Sequence, residues 1–146
     1  MTDLREKLRQ AFRQEHREYL EGIRAALDAA SAGQAPGPRA LDELCRQAHS
    51  LKGAAHAVDL PAVVALAHRL ETLFDRVRQG TAALDGDAVG LSRAALDMVE
   101  DLAAALDGPR PGRDPAPVLA RLDARLGTGP AVPLPPPPAE PPPIEL

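Results

Sequence analysis

The chain predicts an all-α fold: an up-down antiparallel four-helix bundle with a short fifth helix and a proline-rich C-terminal tail. Three observations predict it. Apolar residues recur in steps of three and four over five segments, which is the period of a helix with one buried face. Proline and glycine clusters punctuate the chain between these segments. No alternating apolar/polar run is long enough to make a convincing strand. Apolar residues form 45% of the chain but aromatics only 2%. The core must therefore be built from Leu, Ala and Val, which suits closely approaching helices.

The first helix is expected from about Asp3 to Ala30. Leu4, Leu8, Ala11, Phe12, Tyr19, Ile23, Ala26, Leu27 and Ala30 form its stripe, and Pro36 and Pro38 follow it in a loop. The second runs from about Ala40 to Val58, with Leu41, Leu44, Ala48, Leu51, Ala55 and Val58 in heptad-like spacing. Asp59-Leu60-Pro61 interrupts the pattern. Asp59 reads as an N-cap for the third helix, and Pro61 is tolerated in a first turn. That helix runs from about Pro61 to Arg78, with Val63, Leu66, Leu70, Leu73 and Val77 inward and Gly80 as its stop. The fourth runs from about Asp87 to Leu106, with Val89, Ser92, Leu96, Val99, Leu102 and Leu106 inward; Gly108, Pro109 and Pro111 end it. The fifth spans about Ala116 to Leu126 and offers Val118, Leu119, Leu122 and Leu126.

Residues 1–127 thus form one bundle. Residues 128–146 contain PLPPPPAEPPP, which cannot supply the N–H groups of a helix, and read as an extended flexible linker. A linker that simply stops suggests a piece of a longer protein.

Composition narrows the function. The formal net charge is −4, and no basic run is long enough for a nucleic-acid footprint. One Tyr, two Phe and no Trp leave no material for base stacking. Cys45 is the only cysteine, which rules out an internal disulfide and a cysteine zinc cluster. The charged N-terminus lacks a signal sequence, and no apolar run reaches membrane-spanning length. A cytoplasmic protein without membrane or nucleic-acid partners is expected.

The informative residues lie beside the core stripes. On the second helix Cys45, His49, Lys52, Gly53 and His56 share one face, displaced by one residue from the apolar stripe. On the third, Val64, His68, Glu71 and Asp75 obey the same spacing. Antiparallel packing would bring the two polar faces side by side. The chemistry of that set is coherent. A histidine that accepts a phosphoryl group must be neutral, with one ring nitrogen open to attack. A carboxylate holding the N–H of the other nitrogen fixes the tautomer and raises nucleophilicity; Glu71 is the candidate. Lys52, at i+3 from His49, can offset phosphoryl charge. His68 can orient Glu71 from one turn away. Gly53, at i+4, leaves a bare patch for an approaching partner, at a cost of about 1 kcal/mol of helix propensity relative to Ala.

The segment from Arg46 to Phe74, RQAHSLKGAAHAVDLPAVVALAHRLETLF, carries a recognisable pattern. His49-Ser50-Leu51-Lys52-Gly53 followed by Ala67-His68-Arg69-Leu70-Glu71 resembles the histidine-containing phosphotransfer (Hpt) signature of CheA-type chemotaxis histidine kinases. The resemblance covers roughly Asp3 to Leu106 and is weaker in the first and fourth helices. It implies that His49 is the phosphoacceptor through Nε2, that Glu71 holds Nδ1, and that Lys52 and His68 complete the network. It also implies a carrier without an ATP site, phosphorylated by the kinase catalytic domain of a CheA-like protein and discharged by a CheY-like response regulator. ATP and Mg²⁺ would be bound by those partner domains, with no cofactor or metal in this chain. Two departures stand out. The family usually has Gly where Asp59 stands, and many members have Phe where Cys45 stands.

A regulator would dock near Cys45, Lys52, Gly53 and His56. His16 sits among charges and reads as solvated surface; Cys45 reads as a small residue at the edge of the core. Two other readings stay open. One is a metal-binding bundle using His49, His68 and Glu71. The other is a purely structural interaction bundle.

Overall fold

A computed structural model describes residues 3–107 and 113–127. The described residues form five α-helices and one 3₁₀ turn: α1 Asp3–Ser31, α2 Pro38–Ala57, α3 Pro61–Gln79, α4 Gly86–Ala104, the turn Ala105–Asp107, and α5 Ala116–Leu126. The expected termination at Gly108 to Pro111 and the expected linker over 128–146 lie outside the described residues.

Cross-helix pairs fix the directions. His49 and Lys52 of α2 bond Glu71 of α3, while Asp42, near the start of α2, meets Arg78, near the end of α3. Rising number on one helix meets falling number on the other, so the two are antiparallel. Between α1 and α4, Arg13 bonds the carbonyl just beyond α4 at Leu106, Arg24 bonds Asp97 and Glu100, and Asp28 accepts from Arg93. The order again reverses. Helix α1 also packs on α2 and α3 on α4, which closes the up-down ring, and α5 lies against α3 and α4.

The core follows from the stripes. Leu44, Ala48, Leu51 and Ala55 of α2 face Val63, Leu66, Leu70 and Leu73 of α3, all buried, with Ala67 and Phe74 added on α3. Each fully buried leucine contributes about 2 kcal/mol. Helix α4 buries more than its expected stripe: Ala88, Leu91, Ala95, Met98 and Ala103 join Val89, Ser92, Leu96 and Val99. The reason is α5, which covers a second face of α4 that would otherwise meet water.

Helix α1 departs most from the sequence reading. Leu4 and Leu8 are 68% and 37% exposed, and Ala11 is exposed as well. Helix α1 has 29 residues against 19 or 20 in the other three long helices. The excess is about 14 Å of helix, and the core face begins only at Phe12. It continues through His16, Leu20, Ile23 and Leu27, at steps of four, four, three and four. His16 is therefore buried, at 5% exposure, and not the solvated residue its charged neighbours suggested. Its ring stacks on Phe12, centroids 5.1 Å apart, and its Nδ1 donates to the Phe12 carbonyl at 2.8 Å. That hydrogen bond satisfies the polar group that burial would otherwise penalise.

The three residues between α2 and α3 set the register of the site. The Asp59 N–H bonds the His56 carbonyl, and the Leu60 N–H bonds the Ala55 carbonyl. These are the two bonds of a Schellman ending, which needs a left-handed residue just past the helix. Asp59 supplies it, with φ +57°. Asp59 is thus not the N-cap of α3. That position belongs to Leu60, which makes no side-chain cap. The left-handed geometry also explains why a glycine would suit this position.

Helix α4 has the side-chain cap. Asp85 accepts from the Ala88 N–H at 2.9 Å, and that bond, followed by the Arg125 guanidinium, holds its carboxyl below the usual range. Arg125 of α5 reaches both Asp85 and Asp87. Arg69 of α3 pairs with buried Asp123, and Arg76 bonds the Leu126 carbonyl. Helix α5 is thus fastened to α3 and α4 by three arginines as well as by its apolar face.

The Asp59 conformation yields a prediction. Asp59→Gly should raise stability to denaturant by about 0.5–1 kcal/mol, because glycine reaches positive φ without a Cβ clash. Asp59→Val should lower it by about 1 kcal/mol or more. Equal stabilities for the three proteins would show that Asp59 is not held left-handed.

Candidate functional site

Helices α2 and α3 each carry a polar face beside the apolar seam that joins them, and antiparallel packing closes these faces into one site. His49 stands outward, with its side chain 67% exposed. Its Nδ1 bonds Glu71 Oε2 at 2.5 Å. A carboxylate can only accept, so Nδ1 carries the proton and Nε2 keeps the lone pair. Lys52 Nζ donates to the other carboxylate oxygen, Oε1, also at 2.5 Å. Lys52 and Glu71 are far less exposed than the histidine, at 26% and 23%. The histidine is at the surface and its supports lie beneath it.

Partial burial pulls the Glu71 carboxyl upward. The hydrogen bonds from Lys52 and His49, with their charge, outweigh this and hold it below its ordinary value of 4.5. Glu71 is therefore an anion at neutral pH and a constant acceptor for the Nδ1 proton.

His68 lies one turn before Glu71 and is exposed. Among the described residues its ring makes no hydrogen bond to Glu71, whose two oxygens are taken by His49 and Lys52. His68 instead lines an apolar hollow of about 460 Å³ with Lys52, His56, Asp59, Leu60, Pro61, Val64 and Ala65. A second hollow, of about 570 Å³, lies further along the same polar face, away from the Asp59 turn. His49 and Glu71 open onto it together with Asp42, Cys45, Arg46, Thr72, Asp75, Arg76, Arg78 and Gln79.

The expected docking residues border different hollows. Cys45 borders the charged hollow but is only 9% exposed, and burial pushes its thiol upward, so it stays protonated near neutral pH. His56 borders the apolar hollow. Gly53 is exposed between them, and a Cβ placed on it would meet nothing within 4 Å. Among the described residues, no packing contact requires glycine there. Among the described residues, no three His, Cys, Asp or Glu side chains gather to hold a metal ion. No helix of the described residues is long and apolar enough to cross a membrane.

Sequence reasoning passed over the arginines of the charged hollow. Arg46, Arg76 and Arg78 all border it. The signal available for Arg46 was its spacing, one helical turn before His49 as Lys52 is one turn after. Arg76 and Arg78 carried no such signal, since only packing decides which hollow a helix-end arginine borders.

The model of the Hpt domain family matches residues 7–106. Three curated proteins of the name chemotaxis protein CheA are similar to the chain. That of Treponema pallidum is 33% identical over 95 residues, which are 64% of this chain and 12% of that protein. That of Borreliella burgdorferi is 35% identical over 69 residues, 47% of this chain and 8% of that protein. That of Cereibacter sphaeroides is 31% identical over 127 residues, 82% of this chain and 18% of that protein. The chain thus spans less than a fifth of the length of each. No solved structure matches it. With a family match over most of the bundle and an outward histidine held through Nδ1 by a carboxylate, the chain belongs to the Hpt domain family, the histidine-containing phosphotransfer domains.

Proposed function

We propose that this domain carries a phosphoryl group on His49 Nε2 within a CheA-like chemotaxis pathway. One observation carries the reading: Glu71 reaches across the α2–α3 seam to Nδ1 and leaves Nε2 with its lone pair on an exposed ring. In the transfer, Nε2 attacks the γ-phosphorus of ATP. The N–P bond forms as the P–O bond breaks, and the electron pair leaves with ADP. The Nδ1 proton stays between the ring and Glu71, so the cationic phosphoimidazole ring faces a carboxylate. Lys52 keeps that carboxylate in place and adds positive charge near the phosphoryl oxygens.

The kinase domain would supply ATP and Mg²⁺, and the chain itself acts as substrate and carrier. A response regulator of the CheY type, with its own aspartate and Mg²⁺, would take the phosphoryl group. The length of the curated relatives supports a parent protein that holds the kinase domain in the same chain. The regulator's docking surface is best placed over Gly53 and the apolar hollow beside it. A mid-helix glycine with open space above it costs stability and gains nothing inside the chain, so its use is for an approaching surface. The metal-binding reading is not favoured, because Lys52 puts an ammonium on the carboxylate a metal would need.

The central test is phosphorylation by a CheA-type kinase core with Mg²⁺ and ATP. His49→Gln should take no label and keep its stability within about 0.5 kcal/mol, since the side chain is mostly exposed. Label on both proteins would move the acceptor to another histidine. Glu71→Ala should slow labelling by about 10- to 100-fold without abolishing it, as is usual for a group that orients a reacting imidazole. An unchanged rate would remove Glu71 from its role.

Gly53→Ala should raise stability by about 0.5–1 kcal/mol while slowing transfer to the regulator. Faster or equal transfer would place the docking surface elsewhere. The depressed Glu71 carboxyl fixes a pH window. Its stabilising contribution is full above its unfolded value near 4.5 and is lost as pH falls through the lower folded value. The stability gap between wild type and Glu71→Gln should therefore hold steady from pH 7 to 5 and close below pH 4.5. A gap already closed at pH 5 would mean that the Glu71 carboxyl is not held below its ordinary value.

A further inference from the structure

We infer that Arg46 is a phosphoryl-binding residue of this domain, held in reserve by Glu43 and released to the phosphoryl group as it reaches His49. The inference rests on the reading of His49 as phosphoacceptor. His49 opens onto the charged hollow and not onto the apolar one. A donor that delivers a phosphoryl group to the exposed ring from that hollow meets three arginines there, Arg46, Arg76 and Arg78.

Two of the three are committed elsewhere. Arg76 donates to the Leu126 carbonyl at 2.7 Å and ties α5 to α3. Arg78 bridges Asp75 of its own helix and Asp42 of α2, which links two elements of the bundle. Among the described residues, the hydrogen bonds of Arg46 go to Glu43, three residues before it on the same helix, through Nε at 3.1 Å and Nη2 at 2.5 Å. That pair joins no two elements. Its arginine is 71% exposed and its glutamate 46%. Exposed pairs of this spacing are weak, so a dianionic phosphoryl group can compete for the guanidinium.

Position supports the exchange. Arg46 is at i−3 and Lys52 at i+3 from His49, so the acceptor lies between two cations on one helix face. Lys52 is already bonded to the Glu71 carboxylate. The phosphoryl group brings close to two negative charges to the surface of a bundle whose net charge is already negative. A guanidinium matches two phosphoryl oxygens in its planar fork, which the lysine ammonium cannot do. Glu43 keeps the fork beside the hollow until then. The chemistry of the step is unchanged: the N–P bond forms, the P–O bond breaks, and Arg46 exchanges one set of anionic oxygens for another.

The experiment measures labelling by a CheA-type kinase core against domain concentration, with wild type, Arg46→Gln, Arg46→Lys and Glu43→Gln. Arg46→Gln should lower kcat about tenfold, with KM for the domain within about twofold. The loss is smaller than for a donor in an enclosed site because the hollow is open to water. Arg46→Lys should recover part of it. Glu43→Gln should match or exceed the wild-type rate, because it frees the arginine. Thermal unfolding of each variant should stay near wild type. An unchanged kcat in Arg46→Gln overturns the inference. So does a rise in KM alone, which would assign Arg46 to kinase docking, and so does an equal loss in Glu43→Gln, which would make the pair structural. No label on wild type overturns the phosphoacceptor reading itself, and the role of Arg46 with it.

Discussion

The contact on which the site depends is a single carboxylate spanning two helices. Glu71 takes the Nδ1 proton of His49 with one oxygen and the Lys52 ammonium with the other. Remove the carboxylate and the two α2 side chains lose their only common partner on α3. A hydrogen bond of this kind tolerates only a few tenths of an ångström of error, so α2 and α3 must keep their register along nearly three turns. That register is set at one end by the Asp59 turn and along its length by leucines and alanines that fill the seam. The small residues matter here: Ala48, Ala55 and Ala67 are fully buried and let the backbones approach. The geometry of the site is thus a consequence of core packing one residue away.

Stability and function pull against each other at two positions, and in different ways. Asp59 pays a conformational cost that glycine would avoid, yet its place is structural: it ends α2 and starts the return to α3. Gly53 is the reverse. Its helical geometry needs no glycine and its surroundings are empty, so its cost has no return inside the folded chain. Local sequence choices that oppose the fold without an internal compensation are expected at functional or strained sites.

Helical period alone reveals the bundle, because the stripes of α2 and α3 are regular and Pro38, Pro61 and Gly80 stand where helices start and stop. The polar face was legible for the same reason: Glu71 and His49 each sit one step off a stripe, and antiparallel packing leaves little freedom in where they meet. What escaped the sequence needed knowledge of length and neighbours. Leu4 and Leu8 continue the apolar pattern of α1 but fall beyond the ends of the shorter helices, so they stay exposed. His16 looks like a surface residue from its charged neighbours, and only its spacing from Phe12 and Leu20 reveals that it faces inward. His68 was read as orienting Glu71, since one turn is the right separation. Both carboxylate oxygens, however, were already claimed across the seam.

A reactive group on a convex surface has to solve a problem that an enclosed active site does not. An exposed ring can be reached from outside, yet in open water its supports would be weakly held and heavily screened. The exposure gradient in this site answers that problem. His49 is 67% exposed while Glu71 and Lys52 are near a quarter. The imidazole can be reached from outside, and the charges that fix its tautomer sit in a lower dielectric beneath it, where each hydrogen bond is worth more. The bundle contributes a fixed nitrogen, a fixed proton and the arginine-lined approach to both.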